Sequence, residues 1–153
     1  MLLQDRGFAK EDYARLHPAG AIGRSITLRV TDLMRNLDQV PFVNPGDSIR
    51  DALIKMTQMK SGSVAIVDPE RRLLGIFTDG DFRRHITKNT RLLEEPIDKY
   101  MTPDPVTVSD TAMAVSLLRI VENRHIDDIL VTDNDGRIVG LVDIQDLPRF
   151  KLM

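Results

Sequence analysis

Apolar and polar positions settle into two alternating periods from Val30 onward. Ser48 to Lys60 carries Ile49, Ala52, Leu53, Met56 and Met59 at the i, i+3, i+4, i+7 spacing of an amphipathic helix. Ser48-x-x-Asp51 at its start is a capping-box variant, with Asp where Glu is usual. The short runs Ser63 to Val67 and Leu73 to Phe77 predict two strands, joined through Asp68-Pro69-Glu70-Arg71-Arg72. Thr78 or Asp79 then opens a helix that reaches His85 to Lys88. Ahead of these lie a short helical lead, Val30 to Met34, and a short strand, Val40 to Val43. Pro41 confines that strand to an edge or to its first residues.

The series then runs again. Ile97 to Met101 repeats the lead, Pro105 to Val108 the strand and Thr111 to Asn123 the helix. Ile129 to Thr132 and Ile138 to Val142 repeat the strand pair across the strong turn Asp133-Asn134-Asp135-Gly136. Asp143 to Phe150 repeats the last helix, shortened or bent by Pro148. The chain is therefore an internal duplication of a β-α-β-β-α unit of roughly 60 residues. One copy offers a three-stranded sheet and two helices, too little core to stand alone. The expected fold class is α+β, with the two repeats packed sheet to sheet as a pseudo-two-fold pair. Residues 30–94 form the first repeat and 95–153 the second, with 1–29 a preceding tail and linker. In the second long helix Ala112, Met113, Ala114, Val115, Leu117, Leu118, Ile120 and Val121 leave little polar circumference. That predicts burial on more than one side, either in a homodimer through the helices or in a thick contact within the chain.

Composition narrows the function classes. The chain has 153 residues, 42% hydrophobic and 29% charged, as in soluble globular proteins. A formal charge of -2 without a basic run speaks against general nucleic-acid binding. No apolar run approaches membrane-spanning length, and residues 1–13 lack the apolar core of a signal peptide, so a cytoplasmic location is expected. With no cysteine there is no thiol nucleophile and no thiolate metal site. His17, His85 and His125 are too scattered to suggest a metal.

The two strand-to-helix junctions carry the candidate chemistry. Gly75-Ile76-Phe77-Thr78-Asp79-Gly80-Asp81 is echoed by Gly140-Leu141-Val142-Asp143-Ile144-Gln145-Asp146. A tandem β-α-β-β-α repeat with Gly-apolar-apolar-Thr-x-x-Asp at the last junction resembles the cystathionine-β-synthase (CBS) domain, here as a CBS pair or Bateman module. The second copy departs from the motif, because Asp143 stands where the family usually has Ser or Thr. A carboxylate there repels a ribose-phosphate anion. The segment Gly7-Phe8-x-x-Glu11-Asp12-Tyr13-Ala14-x-x-His17-Pro18-Ala19-Gly20-Ala21-Ile22-Gly23-Arg24 is similar to the exit from the sugar-isomerase (SIS) domain of arabinose 5-phosphate isomerases. In that family an SIS domain precedes a CBS pair, and the enzymes serve the lipopolysaccharide sugar Kdo. The resemblance implies that this chain is the C-terminal regulatory part of such an isomerase and itself no enzyme.

The same resemblance implies site residues. His17 matches a histidine proposed to act at the sugar phosphate, and it could be catalytic only in a longer parent. Thr78, Asp79, Asp81, Arg83, Arg84 and Asp146 are expected at the ligand, as are Ser61, Gly62, Arg124 and His125, which precede the equivalent strands. Arginine suits phosphate through its paired donors. Thr78 and Asp81 also have a purely structural reading, as a cap on the helix they open. No cofactor is required. The expected partner is a nucleotide or nucleotide-sugar effector, CMP-Kdo by feedback logic or AMP or ATP by analogy with other CBS modules. The alternatives are a ligand-free dimerisation module, or a CBS pair of another enzyme or transporter.

Overall fold

The computed structural model describes residues 27–150. The lead helix α1 (Val30–Leu33) is followed by a two-residue strand β1 (Arg35–Asn36) and by β2 (Phe42–Val43). Helix α2 (Ile49–Gln58), strands β3 (Ser63–Val67) and β4 (Leu73–Thr78) and helix α3 (Asp79–Ile86) complete the first series. The second series holds β5 (Thr102–Pro103), β6 (Thr107–Ser109), α4 (Ala114–Arg124), β7 (Asp128–Thr132) and β8 (Ile138–Asp143). It ends in a 3-10 helix, Ile144–Phe150, where an α-helix is expected from the first copy. Pro148 lies inside it and cannot donate to the preceding turn.

The two sheets are four-stranded, in the orders β2-β3-β4-β5 and β1-β8-β7-β6. The fourth strand in each comes from the other series. Arg35 pairs with Leu141 and Asn36 with Gly140, while Thr102 pairs with Ile76 and Pro103 with Gly75. The exchange extends outward from the strands. Val30 N–H donates to Ala112 O and Ala114 N–H to Leu28 O; likewise Ile49 N–H donates to Glu95 O and Ile97 N–H to Asp47 O. Val30 and Leu33 are buried in the second core, and Ile97 is buried in the first. The three-stranded repeats read from sequence are thus completed by trading their leads.

Glycine permits the trade. At Gly75 a Cβ would come within 2.5 Å of Met101 Sδ and 2.8 Å of Thr102 O. At Gly140 it would collide with Met34 Sδ and Arg35 O in the same arrangement. A third cluster joins the sheets face to face, through Val40, Ala65, Val67, Leu130, Ile138 and Leu141.

The predicted elements shift locally. Strand pairing begins at Phe42, after Pro41, whose carbonyl accepts from Ala65 N–H. Helix α4 starts at Ala114, because Ala112 and Met113 run extended beside residues 28–30. Two residues counted in its apolar circumference are therefore not helical. Of the rest, Ala114, Leu117 and Val121 are buried and Val115, Leu118 and Ile120 half-buried. No helix among the described residues is long and apolar enough to cross a membrane.

Candidate functional site

The first junction forms a complete capping box. Thr78 Oγ1 accepts from the Asp81 N–H (3.1 Å), and the Asp81 carboxylate accepts from the Thr78 N–H (2.9 Å). Asp81 is buried and also pairs with Arg84, whose side chain remains largely exposed. The capping role expected of these two residues is thereby filled. It leaves Thr78 Oγ1 with spare acceptor capacity and its own O–H free to donate.

The loops after α2 and α4 match each other in backbone. Lys60 (φ 54°) and His125 (φ 52°) both adopt the left-handed conformation that ends a helix. Two residues later, Gly62 O accepts from Asp79 N–H (3.0 Å) and Asp127 O from Ile144 N–H (2.8 Å). Lys60-Ser61-Gly62-Ser63 is therefore the counterpart of His125-Ile126-Asp127-Asp128. Identical geometry presents small residues in one half and two carboxylates in the other.

Both loops and the first junction open on one cleft of about 1090 Å³, which the second junction borders through Asp143 and Gln145. The first half lines it with Lys60, Ser61, Gly62, Thr78, Asp79, Gly80, Asp81, Arg83 and Arg84. From the second half come His125, Ile126, Asp127, Asp128, Asp143 and Gln145, with Thr102, Pro105 and Val106 from the exchanged lead. Leu53, Met56 and Ile76 add apolar surface. Among the described residues the side chains of Lys60 and Arg83 make no ion pair or hydrogen bond, so two cations face the cleft uncommitted.

Burial, together with the carboxylates of Asp143 and Asp127, raises the Asp128 carboxyl to a pKa of about 6. The Ser63 hydroxyl and Arg35 act the other way, favouring the carboxylate. Ser63 Oγ is fully buried and has no hydrogen bond of ordinary geometry. No cluster of three or more His, Asp or Glu side chains among the described residues could hold a metal.

The second junction is built differently. Arg35, reaching from β1, donates to Asp146 Oδ2 (2.9 Å) and to Asp143 Oδ2 (3.1 Å). Its remaining nitrogen donates to the Lys60 carbonyl (3.0 Å). Asp146 holds the guanidinium's pKa above its ordinary value, against the effect of burial. Asp143 Oδ1 accepts from Gln145 N–H, an Asx turn in place of a capping box.

Of the residues singled out in sequence, Ser61, Gly62, Thr78, Asp79, Asp81, Arg83, Arg84 and His125 come together in the cleft. Arg124 and Asp146 are not among its lining residues; Arg124 is exposed at the end of α4, and Asp146 is engaged by Arg35. His17 lies outside the described residues. Sequence reasoning missed Asp127 and Asp128. The signal lay in the loop equivalence, two residues beyond His125.

Known families match the same segments. The family model for the CBS domain matches residues 30–88 and again 97–151. The chain belongs to the CBS domain family. Its two matched copies make it a CBS pair. Arabinose 5-phosphate isomerase KdsD of Salmonella typhi is 40% identical over 148 residues, which is 97% of this chain and 45% of that protein. This CBS pair thus spans about half the length of the curated relatives it matches. The crystal structure of CBSX2 of Arabidopsis thaliana in complex with AMP superposes with a TM-score of 0.71 at 23% identity, over 80% of this chain and 94% of that one. The CBS pair of protein MJ0100, in complex with 5′-methylthioadenosine and S-adenosyl-L-methionine, gives 0.70 at 22% identity, over 79% and 93%. These likenesses establish the fold.

Proposed function

We propose that this CBS pair is the regulatory part of an arabinose 5-phosphate isomerase and that its cleft binds a nucleotide effector that tunes the enzyme. The observation that carries the reading is the cleft itself. It sets two uncommitted cations, Lys60 and Arg83, beside carboxylates and apolar surface, in a space large enough for a nucleotide. In this reading Arg83 and Lys60 take the phosphate, Arg83 through its paired donors. Asp79 and Asp81 accept from ribose hydroxyls, Thr78 bonds the ribose or phosphate, and Ile76, Val106 and Ile126 flank the base. Ser61, Gly62 and His125 shape the wall.

The similarity to KdsD supports the isomerase assignment, with an SIS domain upstream in the parent protein and His17 serving its chemistry. The AMP held by CBSX2 and the two adenosine compounds held by MJ0100 favour an adenosine ligand. CMP-Kdo, the activated product of the Kdo route, is the alternative to test beside it. A homodimer through the helices belongs to the same reading, since Ile54 of α2 and Met59 at its end are 50% and 38% exposed. Sedimentation at micromolar concentration should give twice the chain mass.

The test of the effector is thermal stabilisation of the chain by AMP, ATP and CMP-Kdo. At one hundred times the dissociation constant a ligand adds about 2.7 kcal/mol, which raises the midpoint of a chain this size by roughly 5 to 10 °C. Arg83→Ala should weaken the response to the active compound. A flat response to all three would refute the reading.

A further inference from the structure

The pseudo-two-fold axis predicts two equivalent sites, one at each strand-to-helix junction. Thr78 and Asp81 of the first correspond to Asp143 and Asp146 of the second. The exchanged strands give the next equivalence. Gly75 and Gly140 each receive a methionine and the carbonyl of the residue after it, so Thr102 is the counterpart of Arg35. A short hydroxyl stands at the first junction, where the cleft is open. A guanidinium stands at the second and commits its donors to Asp143, Asp146 and the Lys60 carbonyl. The ion pairs are well sheltered, with side-chain exposures of 18%, 13% and 23% for Arg35, Asp143 and Asp146.

We propose that Arg35 is a built-in occupant of the second of two pseudo-equivalent sites, so that each chain accepts a single effector molecule. The second junction carries acid where a phosphate-bearing ligand needs neutral or basic groups, and the chain's own cation neutralises that acid. The Lys60 contact ties the occupant to the loop that lines the open cleft. The single-effector half of the proposal rests on the nucleotide reading above; the occupancy of the second site does not.

The test uses the full chain in two arms. Equilibrium dialysis with AMP should give one molecule bound per chain; two would overturn the proposal. The other arm needs no nucleotide. Arg35→Ala should lower the thermal midpoint by roughly 5 °C or more. Methylguanidinium at about millimolar concentration, a charge-assisted donor of the same shape, should restore at least half of that loss without affecting the native chain. An Arg35→Ala chain that loses no stability, or that methylguanidinium does not rescue, overturns the proposal. If that variant folds poorly, its refolding yield with and without methylguanidinium gives the same reading. Asp146→Asn removes a partner without opening space, so it should lose stability and ignore the additive; rescue there also overturns the proposal. If AMP fails to bind, the adenosine choice loses its support while the other two compounds, ATP and CMP-Kdo, still test the nucleotide assignment, and the methylguanidinium arm still decides whether Arg35 fills the second site.

Discussion

The two strand-to-helix junctions descend from one pattern and have diverged in what neutralises their carboxylates. At the first, the buried Asp81 carboxylate is held by the Thr78 backbone N–H and by the exposed Arg84 of its own helix. At the second, Asp143 and Asp146 are held by Arg35, a residue more than one hundred positions away in sequence and part of the exchanged lead. A local partner on a flexible, solvent-facing side chain can be displaced at little cost. A sheltered partner fixed by three contacts cannot. The difference separates a junction whose cation is free to move from one that binds the halves together.

The comparison breaks most visibly at Arg35. Arg35→Ala leaves two sheltered carboxylates without a cation and should cost about 3 kcal/mol, at the low end for buried pairs because some solvent reaches it. Arg84→Ala, at the matching carboxylate, should cost well under about 1 kcal/mol. Urea titration of both variants checks the contrast, and equal losses would refute it.

Packing of the exchanged strands should, by contrast, be symmetric. Gly75→Ala and Gly140→Ala each force a Cβ against a methionine sulfur and a backbone carbonyl. Each should cost about 2 kcal/mol by overpacking. A loss at only one of them would show that the two exchanges are not equivalent.

Asp128 sharpens the contrast between the loops, since its counterpart is the uncharged Ser63. Its folded carboxyl titrates near 6, against 3.8 ordinarily, so between these values the folded chain binds more protons than the unfolded one. Stability should therefore fall as pH rises from about 4 to about 6 and stay at the lower level above that. Asp128→Asn should remove this slope and gain roughly 1 kcal/mol at neutral pH after solvent screening, with no gain near pH 4. Thermal midpoints across that range give the answer. At the cap, Thr78→Ala leaves the Asp81 N–H without its side-chain acceptor and should cost about 1 kcal/mol in the same urea titration.

Much of this was legible in the chain. The apolar periods gave the order of strands and helices, and Thr78 and Asp81 form the capping box that their spacing predicts. Local patterns report local partners. The exchange of leads was not legible, because Arg35–Asn36 and Thr102–Pro103 are too short to show a period and their partners are distant. Arg35 reads in sequence as one more surface charge, and only the exchanged strand brings it to Asp143 and Asp146. Asp127 and Asp128 were within reach, since aligning the two loops places them opposite Gly62 and Ser63. Helix α4 was overextended because Ala112 and Met113 are apolar for a different neighbour, residues 28–30.

The exchange also sets the order in which the molecule can be made. A nascent chain that has emerged only through residue 94 holds every helix of the first series but lacks the strand that borders β4, because Thr102 and Pro103 are still to come. Its lead, meanwhile, has no second sheet to join until Ile138 to Asp143 has left the ribosome. The first sheet therefore has all four of its strands once Pro103 has emerged, whereas the second, and with it the seat of the first lead, waits for β8.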